Sequence, residues 1–325
     1  MPLVVSTLSV RETLELARNA LAAFVLPDST YVREVVNPSE KQPAGAMLGG
    51  AELELSRGTM NAVVRSGGWV LRPAGEHTEF VQDLLGRLAR AGCGWAPRPG
   101  GRTADGRERV SFLPGLADWQ LRGRGGDPFD LRALLTAMRW VRSLHDATLD
   151  PVAGFVTCHG DLGPHNLLYT VDGGAAGLID FDLAHRGRRV DDLATAVKEL
   201  ARFGDPGPDA PRVHDAVALL AAYGWDAVDL GALLDRVPRA YDDDLKFCTA
   251  QADAGNDYYR RWACSGGPAD MGRKAALAHE RLAALEALAA VRQACHLRTP
   301  RRRVPAGGAP HPTGHVFTAP MHGGQ

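Results

Sequence analysis

Hydrophobic positions along this 325-residue chain change period from helical to strand-like and back to helical. Val10, Leu14, Ala17, Leu21 and Phe24 recur at helical spacing behind a capping box at Ser9–Glu12, which predicts a short amphipathic helix in an extension over 1–45. Three short runs at 51–56, 61–65 and 69–72 predict antiparallel strands, joined by Arg57-Gly58-Thr59-Met60 and Ser66-Gly67-Gly68. A helix is predicted over 78–91, with Phe80, Leu84, Leu85 and Leu88 on its apolar face, and Gly106 turns the next hairpin into Val110–Leu113. Beyond Pro114 the pattern is mainly helical. Asp130 caps a helix faced by Leu131, Leu134, Leu135, Met138 and Val141, and another opens at Asp191-Asp192 with Leu193, Val197 and Leu200. Between them, 167–170 and 175–179 flank Asp172-Gly173-Gly174 as a β-hairpin. Helices between about 205 and 296 end in an Ala/Leu-rich one from Pro268 to His296 that carries Leu282, Leu285 and Leu288. The tail, 298–325, is rich in Pro, Gly, Thr and His and predicts disorder.

Composition narrows the class. A hydrophobic content of 45% supports a substantial core, and 37 basic residues against 38 acidic give a net charge of −1. That balance gives no argument for nucleic acid or an anionic membrane as partner, and the sequence leaves protein partners unknown. Cys93, Cys158, Cys248, Cys264 and Cys295 contain no C-x-x-C pair, which disfavours a zinc site or a disulfide framework and makes a reducing cytoplasm the expected setting. Arg11, Glu12, Glu15 and Arg18 interrupt the N-terminal apolar pattern, and no run is long enough to span a bilayer.

The chemistry is concentrated in His159-Gly160-Asp161-Leu162-Gly163-Pro164-His165-Asn166, followed fourteen residues later by Asp180-Phe181-Asp182. Phosphoryl transfer needs positioning and charge neutralisation more than covalent help, so the metal has to be held from two directions. Asn166 and Asp180 are the expected Mg2+ ligands, brought together by the hairpin between them. Asp161 is placed to accept a hydrogen bond from an incoming hydroxyl, as general base or as orienting group. His159 braces the loop, His165 has no assigned role, and Asp182 either binds a second Mg2+ or orders the turn. The Arg186, Arg188, Arg189 cluster reads as a solvated turn.

These motifs resemble those of the aminoglycoside phosphotransferase family, a small-molecule branch of the protein-kinase-like fold that includes choline and homoserine kinases. Gly160 stands where protein kinases carry the arginine of H-R-D. Phe112-Leu113-Pro114-Gly115, Leu144-His145 and Asp192-Leu193-Ala194 are similar to the family's hinge, pre-loop helix end and following helix start. The resemblance covers about 46–295. It implies a bilobal α+β fold: a nucleotide-binding N-lobe with hinge over 46–115, made of a small antiparallel sheet and one helix, and a larger, mainly helical C-lobe over 116–297. It further implies ATP and Mg2+ as cofactors, Asp192 as a brace of the catalytic loop, and adenine against the hinge backbone at Phe112 and Leu113. Gly58, Thr59 and Asn61 fall where the fold places its phosphate-covering loop, although the segment has one glycine and does not match G-x-G-x-x-G.

Two departures stand out. No lysine occurs between Lys41 and Lys198, and Arg72 occupies the slot of the phosphate-binding lysine. A guanidinium can neutralise phosphate there, with a different geometry. Glu79 is the one glutamate of the helix expected to carry the cation's partner, and it sits away from the expected position near Val81. The acceptor, a small molecule with a hydroxyl, is expected in the C-terminal helical cleft near Asp253, Asp257, Tyr258 and Trp262. Asp242, Asp243, Asp244 and Tyr259 are further candidates. Clustered carboxylates suit a polycationic acceptor and equally an exposed helix face. Three readings follow: an aminoglycoside phosphotransferase-like enzyme, a choline-, homoserine- or sugar-type kinase, and a nucleotide-binding pseudokinase that regulates.

Overall fold

The computed structural model describes residues 53–55 and 63–298. The expected N-terminal helix, Gly58, Thr59, Asn61 and the tail lie outside the described residues. The smaller part is a five-stranded antiparallel sheet of order β1-β2-β3-β5-β4, with β1 Leu53–Glu54, β2 Val64–Ser66, β3 Trp69–Arg72, β4 Pro99–Arg102 and β5 Glu108–Ser111. Helix α1, Thr78–Arg90, packs beside it. Val81, Leu84, Leu85 and Leu88 form its buried stripe while Phe80 is 40% exposed, because a stripe starting at 81 keeps the i, i+3, i+4, i+7 spacing. Strand β4, Pro-Gly-Gly-Arg, has no apolar alternation, so periodicity gave it no signal.

The chain then crosses to the larger part through Phe112–Leu116. Phe112 N–H donates to the Gly68 carbonyl, and Leu116 and Tyr169 exchange backbone hydrogen bonds of 2.8 and 2.9 Å. Trp95 closes the back of the two parts. Its carbonyl accepts from Leu178 N–H at 3.0 Å, and its ring stacks on Trp140 with centroids 5.8 Å apart.

Helices make up most of the larger part: α2 Asp118–Arg122, α3 Leu131–Thr148, α4 Arg189–Glu199, α5 Asp209–Tyr223, α6 Leu230–Asp253, α7 Asp257–Cys264 and α8 Gly267–Arg298. Asp130 caps α3 by accepting from Arg132 N–H, and Leu134, Met138, Val141 and Leu144 of that helix are at most 2% exposed. Two small sheets interrupt the helices. Strands β6 Val156–Cys158 and β9 His185–Gly187 pair with each other, as do β7 Leu167–Tyr169 and β8 Ala175–Leu178 around the turn at Gly173. In α8 the buried stripe is Ala278, Arg281, Leu285 and Ala289. Arg281 is tolerated there because its guanidinium donates to the carbonyls of Phe203, Asp205 and Gly207 and to Asp209. Among the described residues no helix is long and apolar enough to cross a membrane.

Candidate active site

The loop after β6 is held from below by one buried carboxylate. Asp192, 1% exposed on the first turn of α4, accepts from the backbone N–H of His159 at 2.7 Å and of Gly160 at 3.0 Å. His145 Nε2 lies 3.0 Å from the same carboxylate, and its Nδ1 lies 2.8 Å from the Tyr223 hydroxyl, to which Arg189 also donates. Burial pushes the Asp192 acid up, but these hydrogen bonds and the two nearby imidazoles outweigh it and hold it below the ordinary carboxylate range. His145, Cys158 and Asp192 bring ligand atoms within 4.8 Å of one another. Both His145 nitrogens and both Asp192 oxygens already have hydrogen-bond partners, so the cluster reads as a brace.

Gly160 is a backbone requirement. Its φ is +82°, and a Cβ there would lie 2.3 Å from the Leu183 carbonyl oxygen. The turn it makes points Asp161 upward. Asp161 Oδ2 accepts from Asn166 Nδ2 at 2.8 Å and lies 3.3 Å from His165 Nε2. Burial raises the Asp161 acid, yet the bonds from His165 and Asn166 prevail and leave it lowered. The hydrogen bond to Asp161 in turn raises the imidazole of His165.

Asn166 and Asp180 meet through the hairpin. Ile179 N–H donates to the Asn166 carbonyl at 2.9 Å, which places Asp180 immediately beyond. His159 ties the same two segments together: Asp161 N–H reaches its Nδ1 at 3.3 Å, and its Nε2 lies 3.0 Å from the Ile179 carbonyl. Burial lowers the His159 pKa and favours the neutral ring that these two bonds require. Asp180 adopts φ +63°, a conformation that costs a non-glycine residue about 1 kcal/mol or more. Strain of this kind persists where the surrounding structure fixes the chain.

Arg72 faces these carboxylates across the cleft. Its Nη1 is 3.6 Å from Asp180 Oδ1 and its Nη2 2.6 Å from Asp182 Oδ1, while Nε donates to Glu108 at 2.8 Å. Burial pushes the Asp182 acid up; Arg72 opposes that and Asp180 adds to it. Glu79 turns away to Arg102 at 3.0 Å. Glu108 escaped the sequence reading, although it alternates inward with Val110 and sits in register opposite Arg72. Arg72 and Asp180 share the lining of a mainly apolar cleft of about 360 Å³ with Leu55, Val70, Val110, Phe112, Leu113 and Leu168. Its size and apolar walls suit a nucleobase with its phosphates directed at Arg72.

Beyond Asp161 lies a second group of residues, several of which sequence reasoning missed. Lys198, 7% exposed near the end of α4, bonds Asp244 of α6 and lies 3.1 Å from Glu199. Burial raises the Asp244 acid, with Lys198 opposing and the Glu199 and Asp161 charges adding. The Tyr259 phenol is raised by burial, with Cys248, Tyr258, Asp161 and Asp244 contributing. Tyr259 meets Tyr258 and Phe247 edge-on at 5.1 and 5.7 Å. Asp253 is exposed at the end of α6, Asp257 is exposed on the first turn of α7, and Trp262 packs on Gly267. The arginine cluster points elsewhere: Arg186 pairs with Asp150, Arg189 pairs with Asp146, and Arg188 lies over Phe155.

A small antiparallel sheet over a helical body, with an H-G-D loop and an aspartate-bearing turn meeting in the cleft between them, defines a kinase-like phosphotransferase. The chain belongs to the phosphotransferase enzyme family, whose model matches residues 63–230. It is a phosphotransferase. A trifolitoxin immunity protein of Rhizobium leguminosarum bv. trifolii is 29% identical over 213 residues, which span 57% of this chain and 79% of that protein. Among solved structures, a choline/ethanolamine kinase family protein from Mesorhizobium loti is 17% identical, covering 74% of this chain and 94% of its own, with a TM-score of 0.49. The GDP complex of aminoglycoside 2'-phosphotransferase-IIIa is also 17% identical, covering 70% and 92%, with a TM-score of 0.49.

Proposed function

We propose that this enzyme moves the γ-phosphoryl group of ATP, bound with Mg2+, to the hydroxyl of an amine-bearing small molecule. The hydrogen bond of Asn166 to Asp161, with Asn166 tied through its carbonyl to the residue before Asp180, carries the reading. The donor set fits the metal. Asn166 spends its Nδ2 on Asp161, which leaves its Oδ1 available, and Asp180 offers a carboxylate from the other segment. Two oxygen donors completed by phosphates and water are what Mg2+ takes. The ion, once held there, would neutralise charge on the triphosphate.

The chain's own groups then divide the work. Phe112 and Leu113 line the base cleft, and Arg72 supplies positive charge toward the phosphates. Asp161 accepts the hydrogen bond of the acceptor hydroxyl and aims its oxygen. A loose transition state asks little of a base, so aiming that oxygen is the larger part of what Asp161 has to do. Asp182 orders the turn through Arg72, and Asp192 and His159 hold the loop. Glu199, Asp244 and Tyr259, with Tyr258 behind, form the acceptor wall nearest Asp161. Their carboxylates and aromatic faces suit an ammonium group. Asp253, Asp257 and Trp262 lie farther along the same helices and suit the far end of a longer acceptor.

The test is Mg2+-dependent turnover of ATP and GTP over a panel of aminoglycosides, amino sugars and choline, read by mass increase of the acceptor. Phosphorylation of an amine-bearing alcohol is the expected result. Nucleotide binding without transfer to any of them would overturn the assignment.

A further inference from the structure

In kinases of this fold the cation on the third strand is paired with a glutamate from the neighbouring helix. Here that helix, α1, contributes no carboxylate to Arg72. Glu79 is engaged with Arg102, and Asp83 is exposed. The partner comes from the sheet. Glu108 of β5 is 2% exposed and lies in register opposite Arg72 of β3. One of its oxygens accepts from Arg72 Nε and the other from Gln82 Nε2, both at 2.8 Å. Gln82 is itself fixed, since it also donates to the Arg109 carbonyl at 3.2 Å and accepts from Gly101 N–H at 2.7 Å.

An arginine offers what a lysine cannot: one edge to be held and another to work with. Glu108 takes the Nε edge. Nη1 and Nη2 remain directed at Asp180 and Asp182, toward the proposed place of the phosphates. A carboxylate this deeply buried is costly without a cation, so the two side chains hold each other in place.

We propose that Glu108 is the positioning residue for the nucleotide phosphates, acting through Arg72, and that Gln82 supports it. The inference rests on the ATP reading above. It makes the phosphate grip a property of strand register within the sheet, independent of the acidic residues of α1.

The experiment titrates the full-length protein calorimetrically with ATP in Mg2+, with ADP and with adenosine, which fills the base cleft but has no phosphate. In Glu108→Gln the ATP and ADP affinities should fall by about tenfold or more while adenosine stays within about twofold. Adding Glu108→Gln to Arg72→Met should cause no further loss, because no guanidinium is left to position. Equal weakening of adenosine would mean that Glu108 only holds the sheet together. Unchanged ATP binding would remove it from phosphate handling. Either result overturns the proposal.

Should Glu108→Gln fail to fold, Gln82→Met keeps the carboxylate and removes one of its two donors; about threefold weaker ATP binding with adenosine unchanged is expected. No change for ATP there would count against the proposal. Glu79→Ala should match the wild type, and a selective loss of ATP binding in it would return the role to α1. Wild-type protein that binds adenosine but neither ATP nor ADP would refute the ATP reading itself, a result distinct from wild-type binding that Glu108→Gln leaves unaltered.

Discussion

The two sides of Asp161 are built on opposite principles. Below it, the loop is fixed by Asp192, His145, Tyr223 and His159, all buried and each making at least two hydrogen bonds. Above it, the proposed acceptor wall presents half-exposed carboxylates and edge-on aromatic rings on α6 and α7, with Lys198 as their buried anchor. A reacting group must be held to within a fraction of an ångström, whereas a recognition surface has only to complement its ligand. Buried hydrogen-bond networks provide the first and exposed side chains the second.

This contrast is open to attack by substitution. Asp161→Asn keeps the shape of the loop and removes the negative charge that holds the acceptor hydroxyl, so kcat should fall by about 10³-fold with nucleotide affinity nearly unchanged. Turnover near the wild-type rate would remove Asp161 from the chemistry. On the fixed side, Asp192→Asn strips charge from a buried acceptor of two backbone N–H groups, and stability should drop by about 3 kcal/mol in denaturant unfolding.

That loss has a pH signature. The Asp192 acid is lowered in the folded protein, so its contribution is complete above the unfolded value near about pH 4 and fades as pH falls through the lowered folded value. The gap between wild type and Asp192→Asn should therefore be widest at neutral pH and close in acid. A gap that grows in acid would reverse the assignment. Tyr223→Phe, one bond farther from the loop, should cost about 1 kcal/mol. On the open side, Asp244→Asn should raise the acceptor KM by about fivefold with kcat held, and Asp253→Asn by less than about twofold. An equal effect of the two would move the acceptor away from Tyr259.

How much of this could be read in advance follows the same division. That the H-G-D loop, Asn166 and Asp180 would meet was legible because two blocks of specified residues flank a short hairpin. Helix α3 was legible because Leu134, Met138 and Val141 keep one period. Glu108 was not, because a lone charge in a four-residue strand carries no pattern until its cross-strand neighbour is known. The Arg281 staple was hidden for a related reason. A long basic side chain in an Ala/Leu helix reads as surface, and only the fold brings the carbonyls of 203, 205 and 207 to it. Lys198 likewise gains Asp244 from α6, 46 residues on, and Phe80 lost its expected place because the burial stripe begins one residue later.

Gly160 carries one more consequence. Signalling kinases are toggled when arginines clasp a phosphate newly added to their own chain. With the Leu183 carbonyl pressed against it, this position has no room to mount such a clasp. The loop stands assembled through Asp192 instead, so its geometry is independent of any covalent mark sensed at that residue.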